Sequence, residues 1–287
     1  MLTTNLHKNN SSFALVLINH RLWGYILIPY IIELALNKKY YRLTECLSPF
    51  PGNDTLNILD PEEREVIHII NEYNDRNLFK LFSRDKSVKE FLVKVAPDKI
   101  NDFIRPFIER RIYKCFSIAR DEAIPVYFLK TTTTLHKEDQ LIIEAEKAVP
   151  LFIFIREAEQ STYKLGLDVA GKRVDLKRSS ADIICNSPCL VRDDYRVLFV
   201  SDVDGSKLKP FLLKDHIQIP KKAEAKYFAS FVLNTVNKYK VEGTGFEIIE
   251  PVPDKKACLV LETGFKGTPV LILSYKYQGI MFFAGEI

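Results

Sequence analysis

Cys185 and Cys189, separated by Asn-Ser-Pro, have a spacing that two ligands of one zinc ion can use. A site needs two further ligands. His216 and Cys258 are the nearest later side chains of that type, and they have no paired spacing. Cysteines in apolar strands commonly act as buried small hydrophobes, so unmetallated thiols are expected. A second group of residues is basic. Arg76, Lys80 and Arg84 recur at i, i+4 and i+8 and share one face if a helix continues to Arg84. Arg105, Arg110, Arg111 and Lys114 fall off the apolar stripe of a later helix. Cations displayed in this way neutralise phosphates without reading sequence. The alternative is that they pair with Glu72, Glu109 and neighbouring acids on a solvated surface.

Charge is unevenly placed. The chain carries 41 Lys and Arg against 37 Asp and Glu, a net +4. Between Arg76 and Lys114 there are eleven basic against five acidic residues, and between Asp204 and Lys240 eight against three. Such segregation suits either an anionic partner or solvated helix faces.

Asp202-Val-Asp204-Gly205-Ser206 follows the apolar run VLFV. It resembles the first motif of the haloacid-dehalogenase phosphatases. That resemblance implies Asp202 as nucleophile, Asp204 as acid/base, and both as holders of Mg²⁺. No later paired-aspartate motif follows, and Asp-Gly is also an ordinary hairpin turn. An EF-hand reading fails for want of the Asp at the first loop position and the Glu at the twelfth. The phosphate cradle G-x-x-x-x-G-K-[S/T] is missing from the sequence, so neither binding nor hydrolysis of ATP is expected of this chain. Gly243-Thr-Gly245 reads as a turn, and His20, His68 and His136 as structural or solvated.

The elements that must position these residues follow from periodicity. Residues 13–36 hold two apolar, β-branched runs around Asn19-His20-Arg21, a hairpin buried on both faces. Asp60-Pro61-Glu62-Glu63 starts a helix expected to run to about Phe82. Ser87 and Glu90 form a capping-box pattern for a short second helix. Pro97 opens a third, with Pro106 forcing a kink or restart. From about residue 123 the period changes to two, as in an antiparallel meander, with Ala170-Gly171 as a hairpin turn. Residues 221–240 read as an amphipathic helix with Tyr227, Phe228, Phe231, Val232 and Val236 on its apolar stripe. Three strands follow, in GFEIIE, ACLVLE and PVLILSYKY. GIMFFAGEI ends inside what reads as another strand, so a longer parent chain is expected.

The fold class is therefore α+β, a helical segment between β-rich parts with mostly antiparallel strands. Three regions are expected: 1–122, a hairpin plus helices; 123–206, an antiparallel meander; and 207–287, a helix plus strands. Five scattered cysteines, no signal-peptide pattern and no membrane-length apolar run point to a soluble, cytoplasmic protein with no membrane partner.

Four strings, EYNDRNLFKLFSRDKSVKEFL, IRPFIERRIYKC, ADIICNSPCLVRDDYRVLFVSDVDGSKLKPFL and IPKKAEAKYFASFVLNTVNKYKVEGTGFEI, together resemble the amino-terminal region of large bacterial SNF2-family helicases of the Bacteroidetes type. The similarity covers most of residues 13–287. It implies an accessory domain beside helicase motor lobes in cis, which would bind ATP and Mg²⁺ in the parent protein and translocate on duplex DNA. None of the motor motifs is in this sequence, so no catalytic, cofactor or metal residue carries over. Three function classes remain: the helicase accessory region, open to contacting DNA, regulating the motor or docking a partner; a small Mg²⁺-dependent phosphatase using the DVDGS stretch; and a non-catalytic protein-interaction module.

Overall fold

The computed structural model describes residues 11–37, 39–49, 54–129, 134–157, 160–176, 180–214, 216–228, 238–245, 256–263, 269–277 and 280–286. Two compact units divide the chain, residues 1–245 and 246–287. The architecture is α+β with mostly antiparallel pairing.

The first unit opens with a hairpin, β1 (Ser11–His20) and β2 (Gly24–Leu34), followed by β3 (Tyr40–Cys46). The β1–β2 ladder is continuous from Ser11↔Glu33 to His20↔Gly24. Its turn lies at Arg21–Trp23, slightly later than the polar break suggests, and Gly24 takes φ +76°. The apolar run of β1 is buried on both faces, as its composition requires. Phe13, Leu15 and Leu17 enter a large core beneath the helices, while Ala14 and Val16 face a smaller one with Ile32, Tyr127 and Leu135.

Six helical pieces follow: α1 (Asp54–Asn57), α2 (Pro61–Asn71), α3 (Asp75–Phe82), α4 (Val88–Lys94), α5 (Pro97–Lys99) and α6 (Arg105–Asp121). The expected single helix from Asp60 to Phe82 is two helices. Asn74 breaks it: its backbone is extended, and its side chain accepts the N–H of Asn77 at 2.8 Å, starting α3 afresh. The start of α2 is fixed by the Glu63 carboxylate, which accepts the Asp60 N–H at 2.9 Å. Ser87 caps α4 through the N–H of Glu90, at 3.2 Å. Before Pro106 the third helix widens into a π turn, Ile100–Ile104. Proline has no N–H to give and crowds the carbonyl four residues back, and the wider register relieves both problems. Ile104, Ile108, Ile112, Cys115 and Phe116 of this segment are fully buried. Each large apolar side chain so removed from water stabilises the fold by about 1.5–3 kcal/mol.

Beyond α6 come β4 (Val126–Phe128), β5 (Thr134–His136), β6 (Ile142–Ile143), β7 (Ala148–Arg156), β8 (Gln160–Val169), β9 (Lys172–Val174), β10 (Ala181–Cys185), β11 (Cys189–Asp193) and β12 (Arg196–Val200). Next are α7 (Lys209–Leu213), β13 (Ile217–Pro220), α8 (Lys221–Tyr227) and β14 (Lys240–Thr244). Strand β4 returns to pair in parallel with β1, giving a sheet of order β4-β1-β2-β3-β5. The larger sheet has order β10-β11-β12-β7-β8-β13, with β14 on β7, β6 on β12 and β9 on β8. One core joins residues on either side of position 123, from Phe13 to Phe199, because α6 packs against both β2 and β10.

Ala170-Gly171 forms the expected two-residue hairpin turn, both at positive φ, with the Gly171 N–H bound to Asp168 at 2.7 Å. Gly243, read as part of a turn, lies inside β14, and Gly245 takes the positive φ that ends the strand. Of the helix expected over 221–240, α8 is described. Phe231, Val232 and Val236 lie outside the described residues, as does most of GFEIIE. The second unit is an antiparallel sheet of β15 (Lys256–Thr263), β16 (Pro269–Tyr277) and β17 (Ile280–Glu286), the last matching the strand read in GIMFFAGEI. No helix among the described residues is long and apolar enough to cross a membrane.

Candidate nucleic-acid interface

The seven basic residues singled out in the sequence meet three different fates. Arg76 and Lys80 sit one turn apart on α3, exposed, opposite the buried Leu78. Arg84 does not extend that helical face. The helix ends at Phe82, where Ser83 turns extended, so Arg84 projects from the α3–α4 loop. Arg110 is exposed on α6. These four make no hydrogen bond or ion pair among the described residues.

Arg111 and Lys114 are already paired. Arg111 reaches Glu72 with Nε and Nη2, each 2.6 Å from Oε2, and donates Nη1 to the Phe107 carbonyl at 3.1 Å. Its guanidinium lies 3.3 Å from the Phe107 ring centroid, and Phe107 meets Phe82 edge-on. Lys114 holds Glu65 at 2.7 Å, a bond that raises the ammonium pKa. Both pairs tie α6 to α2, running antiparallel to it. Arg105 is half-buried against the β1–β2 turn, its Nε 3.4 Å from where a Cβ on Gly24 would stand. That Nε is buried without a hydrogen-bond partner among the described residues.

Three further cations of the same stretch are also open. Lys86, Lys89 and Lys99 are exposed and unpaired among the described residues, whereas Lys94 is taken by Glu90 at 2.6 Å. They lie at loop and short-helix positions, where helical spacing gives no signal. Between Arg76 and Lys114, seven side chains therefore stay open to an anionic partner.

The cysteine pair has a structural setting. Cys185 and Cys189 are buried free thiols. Burial pushes both up, Cys189 to about 12, and Cys185 donates to the Glu109 carbonyl at 3.3 Å. Among the described residues no group of three or more His, Cys, Asp or Glu is arranged to hold a metal ion. The DVDGS stretch departs from the hairpin reading. Asp204 Oδ1 accepts the Ser206 N–H at 2.8 Å and opens a 3₁₀ turn, Gly205–Lys207. The preceding β12 lies between antiparallel β11 and parallel β6 and β7, in a sheet unlike the parallel core that the phosphatase resemblance implies.

Glu109 is the charged residue that residue counting placed wrongly. Instead of pairing with surface cations it is 5% exposed. It accepts the backbone N–H and the side-chain amide of Asn186, both at 2.7 Å. Burial raises its carboxyl pKa, and the Asn186 donors and Arg105 only partly offset that. Its helical position gives no hint of this partner, which arrives from 77 residues away. No family model matches the chain, and no curated protein or solved structure does.

Proposed function

We propose that this chain is an accessory region that grips the phosphate backbone of duplex DNA beside an ATP-driven translocase motor in the same parent protein. The observation that carries the DNA contact is the set of seven exposed cations between Arg76 and Arg110 that have no acidic partner among the described residues. The whole-segment resemblance to SNF2-family helicases supplies the motor, and ATP with Mg²⁺ belongs to that motor. Contacts of this type are sequence-independent, because Lys and Arg meet phosphates and not base edges. They are also salt-dependent, because each neutralised phosphate releases counterions.

Fluorescence anisotropy with a labelled duplex tests the reading. Raising salt from about 50 to 200 mM is expected to weaken binding by roughly two or more orders of magnitude. The variant Arg76→Ala/Lys80→Ala/Arg84→Ala/Arg110→Ala is expected to bind more weakly and with a flatter salt dependence, while unfolding like the parent chain. Absence of binding at low salt, or equal binding by the variant, overturns the DNA contact. A protein partner captured in a salt-insensitive complex would favour the interaction-module class instead.

A further inference from the structure

A cleft of about 390 Å³ lies where β2 faces the α2–α3 corner and the end of β3. Small-molecule sites span roughly 300–1,000 Å³. Its walls are mainly apolar, with Trp23, Ile28, Pro29, Leu47, Ile67 and Ile70 among them. Polar groups gather where α2 gives way to α3: Asn71, Asn74, Asp75 and the nearby His20.

The hydrogen-bonding state of this polar end defines what it can accept. His20 Nδ1 receives the N–H groups of Leu22 and Trp23 at 3.4 and 3.3 Å. The neutral ring therefore carries its proton on Nε2. Asn71 Oδ1 is taken by Asn74 Nδ2 at 2.6 Å, whereas the Asn71 amide nitrogen donates to nothing among the described residues. Three N–H donors on two nitrogens, His20 Nε2 and Asn71 Nδ2, are thus left over. Among the described residues Asp75 is the one lining residue with a formal charge. Its Oδ1 already accepts Trp23 Nε1 at 3.0 Å, and it stands in the first turn of α3, where the helix dipole favours a carboxylate. An anionic ligand would be repelled by Asp75, and a cationic one would have to shed its water against mainly apolar walls with only the remaining carboxylate oxygen of Asp75 to meet it.

We propose that this cleft binds an uncharged, mainly apolar small molecule whose hydrogen-bond acceptor, such as a ketone or amide carbonyl, meets Asn71 and His20. None of the seven exposed cations lines the cleft, so the proposal stands or falls independently of the DNA contact.

Trp23 is the single tryptophan of the chain and lines the cleft, so its emission reports occupancy. Prodan, an uncharged naphthalene ketone that absorbs where tryptophan emits, is the probe. It is expected to quench Trp23 saturably with one molecule per chain. Anilinonaphthalene sulfonate, of similar size but anionic, is expected to bind at least about tenfold more weakly. Ile28→Phe fills the cleft and is expected to weaken prodan binding by a similar factor. On the unaltered chain, bound prodan is expected to slow alkylation of Cys46, an exposed wall residue, by N-ethylmaleimide at least about fivefold. That measurement stands even if the Ile28 variant fails to fold. Unsaturable quenching, equal binding of the sulfonate, or Cys46 reactivity unchanged by prodan overturns the proposal.

Discussion

Glu109 of α6 holds Asn186 of the β10–β11 turn by two hydrogen bonds of equal length, 2.7 Å, one from the backbone N–H and one from the side-chain amide. The Asn186 carbonyl in turn accepts the N–H of Gly205 at 2.9 Å. Helix, turn and the DVDGS segment are thus joined by one chain of polar contacts. Tyr25 of β2 donates to Asp182 of β10, a second link between β10 and the rest of the first unit.

Replacing Glu109 with Ala strips both donors of Asn186 of their acceptor in a buried place. A loss of about 1–3 kcal/mol of stability is expected, since unmade buried hydrogen bonds cost that much. Glu109→Gln adds a pH test. The carboxyl pKa is raised on folding, so the native state holds the proton more tightly. Stability from this group is therefore full below the ordinary carboxylate pKa and falls as pH rises through the folded value. Denaturant titrations across that range should show a decline in the parent chain that is shallower in Glu109→Gln. Equal slopes would remove Glu109 as the cause.

His20 has the opposite sign. Burial lowers its pKa, and the neutral ring accepts two backbone N–H groups in the β1–β2 turn. Protonation would set a third N–H against them. Stability should fall as pH drops from about 6.5 toward the lower folded value, because the unfolded chain then binds the proton more readily. His20→Asn keeps an acceptor in the turn without the titration. It is expected to flatten that acid limb in pH-dependent melting.

Gly205 is a packing requirement. A Cβ there would stand 2.8 Å from Ile183 Cγ2 and 3.2 Å from Asn186 Cα. The second neighbour is backbone, so it cannot swing aside. Gly205→Ala should cost about 1–3 kcal/mol, typical of overpacking, read from the denaturation midpoint. If the segment were only a surface turn, the substitution would be neutral.

Local signals carried the elements well, and long-range partners carried the rest. Pro106, Ser87 and Ala170-Gly171 each act through their own backbone or a near neighbour, so their consequences are visible in the sequence. Asn74 was missed because its effect is a competition: an apolar stripe continued across it, while its side chain took the N–H of Asn77. β4 closes onto β1, more than 100 residues away, and no periodicity announces that pairing. The basic site was legible as a charge excess and illegible as a surface. Spacing cannot show that Glu72 and Glu65 of a neighbouring helix would claim Arg111 and Lys114.

Arg110 and Arg111 are adjacent in sequence and separate the structural from the binding role of the basic helix. Arg111 bridges Glu72 while lying over the Phe107 ring, so Arg111→Ala should cost about 1 kcal/mol of stability. Since its charge is already matched, the salt slope of DNA binding should stay where it was. Arg110 is exposed and unpaired among the described residues. Arg110→Ala should change stability by less than about 0.5 kcal/mol. If it meets a phosphate, its loss weakens duplex binding equally across sequences and lowers the slope of log K against log salt by about 1. Denaturation and anisotropy on the same two single variants decide the matter. A slope change in Arg111→Ala and none in Arg110→Ala would mean that the Glu72 pair opens to DNA, and would move the interface toward the α2–α6 seam.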